Sequence, residues 1–189
     1  MKKIIAVCLN GMQVPRAVRG ELDLMSNCFI LWVMDVLNEA ELRTCFKHDD
    51  DVWFPDLSAI EWADLDFLGW VHPSGHLGYI ATLSPNDGRL RGVVLRRFER
   101  PTRRVRLDMC SLCNHVHSSG GTAMFTITEA GSRGRRSISN VVCGDLACSL
   151  RIRNKLNPSS LMQETLYLEA KVWRILLHLH RWLTRTKYI

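Results

Sequence analysis

Long apolar runs are what this sequence most lacks. Its two uninterrupted stretches, from Ile4 to Leu9 and from Phe29 to Met34, stop at Asn10 and Asp35, far short of the roughly 20 residues that cross a bilayer. The first follows Lys2 and Lys3 but is too brief for a secretion signal. A membrane or secreted protein is therefore not expected, and a cytoplasmic one is. Also missing are a Gly-rich phosphate loop followed by Lys and Ser or Thr, any internal repeat and any low-complexity tract. His48, His72, His76, His178 and His180 are scattered, and none is paired in sequence with a nucleophile and an orienting acid. Catalysis is not the expected role.

What is present is enough apolar material for a core: 189 residues, 47% hydrophobic, fit one ordinary domain or two very small ones. The net charge of +6 points to an acidic partner such as a ribosomal particle, RNA or an acidic protein surface. The charge is unevenly spread. Residues 35 to 66 hold ten acids against Arg43 and Lys47, whereas residues 89 to 189 hold nineteen Lys or Arg against six acids. Attraction between the two segments within the fold and recruitment of a partner both account for this pattern.

Residues 1 to 35 read as an N-terminal extension, with Gly11, Pro15, Gly20 and no sustained period through residue 34; Met34 is an alternative natural start. From there the local signals sharpen. Asn38 and Glu41 match a capping box, predicting a short helix to about Lys47 with Leu42, Cys45 and Phe46 on its apolar stripe. The block from Trp62 to Trp70 predicts a packing platform for that helix and a sheet. Residues 78–83 and 90–95 predict a hairpin closed by Ser84-Pro85-Asn86-Asp87-Gly88. Arg89, Arg91, Arg96, Arg97, Arg100, Arg103, Arg104 and Arg106 are expected along an edge strand and its exit. A last helix is expected from about Gln163 to Lys187, with Leu166, Ala170, Trp173, Leu177 and Leu183 at helical spacing.

Seven cysteines exclude complete internal pairing, and four of them fall in two close pairs. Cys110 and Cys113 form a C-x2-C pair; Cys143 and Cys148 form a C-x4-C pair. A tetrahedral zinc needs four ligands, and each short spacing lets one turn present two sulfurs. The first pair suits a knuckle whose backbone N–H groups point at sulfur. The second suits a helix beginning at Asp145, with Cys148 in its first turn and Arg151 and Arg153 following to offset thiolate charge. Between the pairs, residues 124–128 and 137–142 read as strands around a loop carrying Arg133, Arg135 and Arg136. Knuckle, hairpin and helix in that order describe a treble clef. A thioredoxin-type site lacks its βαβ context, His115 and His117 are outer residues or substitute ligands, and an iron–sulfur cluster accepts the same four cysteines.

Three stretches, residues 37–42, 62–70 and 110–150 with Cys110-Ser111-Leu112-Cys113 and Asp145-Leu146-Ala147-Cys148-Ser149-Leu150, resemble the elongation factor G-binding family that includes the fusidic-acid resistance proteins. The likeness spans about residues 36 to 187. The predicted elements make an α+β chain, a helix with a small antiparallel sheet over 36–107 and a four-cysteine unit with a C-terminal helix over 108–189, and the likeness implies that the second part is a treble-clef zinc finger. The likeness also implies that Cys110, Cys113, Cys143 and Cys148 hold zinc, and that Arg133, Arg135 and Arg136 lie where the factor is touched. The implied activity is binding elongation factor G and promoting its release from the ribosome, which counters a drug that traps it there. A zinc-finger nucleic-acid binder, with RNA as partner, is the alternative reading of the same arginines.

Overall fold

The computed structural model describes residues 4–8, 28–32, 34–46, 51–99, 107–118, 120–157 and 160–189. Near its start, β1 (Ile4–Cys8) pairs antiparallel with β2 (Cys28–Trp32). The absence of a strand period over residues 1 to 34 did not reveal this pair, because five-residue strands that are apolar throughout show no alternation. Helix α1 (Glu39–Cys45) begins at the expected box: Asn38 Oδ1 accepts the Glu41 N–H and Glu41 Oε2 accepts the Asn38 N–H, both at 2.8 Å. It ends where Phe46 turns extended; Lys47 and His48 lie outside the described residues.

A five-stranded antiparallel sheet forms the body, in the order β3 (Leu68–Val71), β4 (Leu77–Leu83), β5 (Leu90–Glu99), β8 (Thr122–Thr128) and β9 (Ser137–Cys143). It takes strands from both sides of residue 107. The Ser84–Gly88 turn closes β4 onto β5 as its Pro and Gly predict, with Gly88 at φ 63°. The arginine-bearing strand is not an edge. β5 lies between β4 and β8, pairing the first from Leu90 to Arg96 and the second from Arg96 to Glu99. Its charges are tolerated there because Arg91 and Arg97 flank buried Val93 and Leu95 at the two ends of their face and find local partners, Arg91 on Asp87 and Arg97 on Glu99, while Arg96 is exposed on the other face. Arg100, Arg103, Arg104 and Arg106 lie outside the described residues.

Strand alternation sorts the apolar side chains into two cores, one on each sheet face. Tyr79 and Ala81 face a core with Leu42, Phe46, Trp62, Leu65 and Trp70. Ile80, Val93, Leu95, Phe125 and Ile127 face the other, with the four paired cysteines and α3 (Leu168–Arg185). The tryptophan block thus forms the expected platform: Trp70 stacks on Tyr79 at 5.2 Å, and Phe46 meets both edge-on. Two sheet glycines set how closely the layers approach. A Cβ on Gly92 would lie 2.7 Å from the Phe46 ring, and one on Gly69 2.7 Å from the Leu146 carbonyl oxygen.

Helix α3 starts five residues later than Gln163. No side chain caps it at Tyr167, and Glu164 is held by Arg174 through two bonds of 2.8 and 2.7 Å. Ten residues of helix rise about 15 Å, so that pairing holds Glu164 off the helical path. Leu166, whose spacing suggested helix, is exposed.

Candidate metal centre

Short-range geometry brings the cysteines together. Strand β6 (Asp108–Met109) pairs with β7 (Val116–His117), and the turn between them carries Cys110 and Cys113. Asn114 closes that turn at φ 59°, its N–H bonding the Cys110 carbonyl. The Leu112 and Cys113 amides approach Cys110 Sγ at 3.4 and 3.5 Å, the sulfur-directed N–H groups expected of a knuckle. Cys143 ends β9, and Cys148 opens the short helix α2 (Cys148–Ile152). Helix formation begins three residues after Asp145 because Leu146 takes φ 59°, outside the right-handed helical region. Asp145 instead fixes the turn by accepting the Ala147 N–H through Oδ1.

All four sulfurs are buried and lie within 4.8 Å of one another. Cys113 and Cys143 are 3.5 Å apart and Cys110 and Cys148 3.7 Å. Four sulfurs each about 2.3 Å from a tetrahedral zinc stand roughly 3.8 Å apart, so the set fits one ion. It is too tight to enclose several irons, each needing its own thiolate. Burial raises the Cys110 thiol, but hydrogen bonds from Cys113, Cys143 and Cys148 together outweigh it and hold Cys110 well below the ordinary range. Hydrogen bonding to Cys110 and Cys113, with burial, pushes Cys143 and Cys148 up. Ionising all four sulfurs in this buried site requires a cation, and a closed set of four leaves no open position for water.

The surroundings divide the sequence candidates. Arg151 stays with the thiolates: burial works against its charge, but Asp145 and then Cys143 raise its pKa. Its Nη2 meets Asp145, while Nε and Nη1 have no hydrogen-bond partner among the described residues. Arg153 points elsewhere, gripping Asp66 at 2.7 and 2.9 Å with Asp64 nearby. His117 is buried with Nε2 3.2 Å from Cys143 Sγ, and His115 packs beside it at 4.4 Å. Burial first, then the neighbouring His115 and Arg151, holds His117 down to about 4.

Three supporting contacts had no sequence signal. Arg97 Nε donates to the Gly144 carbonyl at 3.2 Å, Arg174 Nη2 to the Cys113 carbonyl at 2.9 Å, and His178 Nδ1 lies 3.2 Å from the Leu112 carbonyl. Arg133, Arg135 and Arg136 are exposed in the β8–β9 loop. Thr122 pairs with Cys143 at one end of that hairpin and Thr128 with Ser137 at the other. The arginines are therefore about 20 Å from the sulfurs, at roughly 3.4 Å per residue. The loop is tied down: the Ala130 N–H bonds the Thr186 carbonyl, and Lys187 and Arg136 both reach Glu129.

A family model described as the FBP C-terminal treble-clef zinc-finger matches residues 40–186. The structure of the fusidic acid resistance protein FusC aligns with a TM-score of 0.51 at 13% identity, over 80% of this chain and 59% of FusC, a likeness of fold. The chain thus spans less than two thirds of FusC. No curated protein matches the sequence. With the family's zinc finger laid over a buried four-cysteine cluster, zinc is the metal of this centre. Among the described residues no helix is long and apolar enough to cross a membrane.

Proposed function

Because the chain belongs to the FBP C-terminal treble-clef zinc-finger family, we propose that it is a non-catalytic, cytoplasmic protein that binds elongation factor G and promotes its release from the ribosome, with fusidic-acid protection as the consequence. The observation that carries this reading is the family match across the whole metal-bearing region. Zinc supplies a closed clip rather than a reactive position. A binder that prefers one conformation of the factor shifts a stalled equilibrium toward dissociation without making or breaking a bond. Arg133, Arg135 and Arg136 suit such contact because they are exposed on a loop anchored to the end of α3.

Pull-down with purified elongation factor G tests the reading. We expect a complex at micromolar concentration that Arg133→Ser/Arg135→Ser/Arg136→Ser abolishes while thermal stability stays within about 0.5 kcal/mol, as for exposed substitutions. No complex with the unaltered protein refutes it. Binding to RNA alone, falling steeply with salt through counterion release, would replace it with the nucleic-acid reading.

A further inference from the structure

The two cysteine pairs are served differently. Cys110 receives the N–H groups of Leu112 and Cys113, as a C-x2-C knuckle allows. The longer C-x4-C spacing spends its amides elsewhere: Gly144 N–H bonds the Gly121 carbonyl, Leu146 N–H bonds the Cys143 carbonyl, and Ala147 N–H bonds Asp145 Oδ1. Among the described residues no backbone N–H is hydrogen-bonded to Cys143 Sγ. The polar group that does reach it, apart from Cys113, is His117 Nε2 at 3.2 Å.

The fold places that ring deliberately. His117 stands opposite Asp108 in the β6–β7 pair, so the knuckle that carries Cys110 and Cys113 also carries the imidazole. Gly121 leaves room for it: a Cβ there would lie 2.2 Å from His117 Nδ1. We propose that His117 is a positioning residue of the zinc centre, donating its Nε2–H to the Cys143 thiolate in place of the backbone donor that the C-x4-C turn does not supply. A donor at sulfur draws charge off the thiolate and fixes its direction, and loss of such outer partners typically weakens metal affinity about 10- to 100-fold.

Zinc affinity is measured by chelator competition and thiolate electron density by the sulfur-to-cobalt charge-transfer band of the Co(II)-loaded protein. His117→Phe should lower affinity about 10- to 100-fold and move the band to lower energy. His117→Gln, which keeps an N–H donor, should restore much of both. Gly121→Ala, which displaces the ring and leaves His117 intact, should reproduce the Phe effect. In the unaltered protein loaded with cadmium-113, scalar coupling between the metal and the His117 Hε2 proton should be visible, a readout independent of any variant's folding. A His117 protonated only at Nδ1, or a Phe variant with unchanged affinity and band, overturns the proposal.

Discussion

Removing the metal should cost the fold a measurable share of its stability, and the size follows from which residues the clip joins. Cys113 and Cys143 are 30 residues apart and Cys110 and Cys148 38 residues. Treated as a cross-link closing loops of that length, the clip reduces unfolded-chain entropy by an amount worth about 4 kcal/mol. Single domains have about 5–15 kcal/mol in total. For a chain of this size 4 kcal/mol corresponds to a drop of about 8–16 °C in Tm. The effect should concentrate on the sheet face that holds α3, because Trp182 packs into the same core as the four sulfurs and donates its indole N–H to the Ile138 carbonyl. The assay is thermal unfolding followed by circular dichroism, comparing zinc-loaded protein, protein stripped by a chelator and Cys143→Ser. Near-ultraviolet signal should fall before far-ultraviolet signal. A Tm drop below about 3 °C, or purified protein without stoichiometric metal, refutes the reasoning.

Other outcomes are equally concrete. Arg153→Met leaves buried Asp66 without its bidentate partner and should cost about 3–5 kcal/mol by denaturant unfolding, with Asp66→Asn/Arg153→Met recovering most of it; an undamaged single variant argues against the pairing. Gly69→Ala drives a methyl into the Leu146 backbone, so about 1–3 kcal/mol of stability and faster extraction of zinc by chelator are expected. Burial pushes the Cys45 thiol up to about 12, so it should resist alkylation at pH 8 in the native protein. The unfolded thiol ionises near 9.0 while the folded one keeps its proton. Stability should therefore fall as pH rises from about 9 toward 12, less steeply in Cys45→Ala; identical slopes would refute this.

Much of the fold was legible where its causes are local. The capping box at Asn38, the Pro- and Gly-bearing turn at 84–88 and the two cysteine pairs each act within a few residues, so spacing alone displays them. The ends of elements were less legible because distant partners set them. Glu164 leaves the helical path to meet Arg174, and Leu146 delays α2 while packing against Gly69. The interior position of β5 was hidden for a related reason: a run of arginines reads as an exposed edge until Asp87 and the Gly75 and Gly144 carbonyls are seen to hold two of them. Within the metal centre, residue types gave the sulfurs but not their supports. Arg97 and Arg174 lie 47 and 61 residues from the carbonyls they hold.

The β8–β9 pair ends in a metal ligand on one side and in the arginine loop on the other. Seven paired positions join the two without a break, and β5 along β8 and Thr186 at the loop hold the pair to the body. Stripping zinc therefore loosens the Cys143 end first, while the three guanidinium groups keep a place that the sheet and the end of α3 secure.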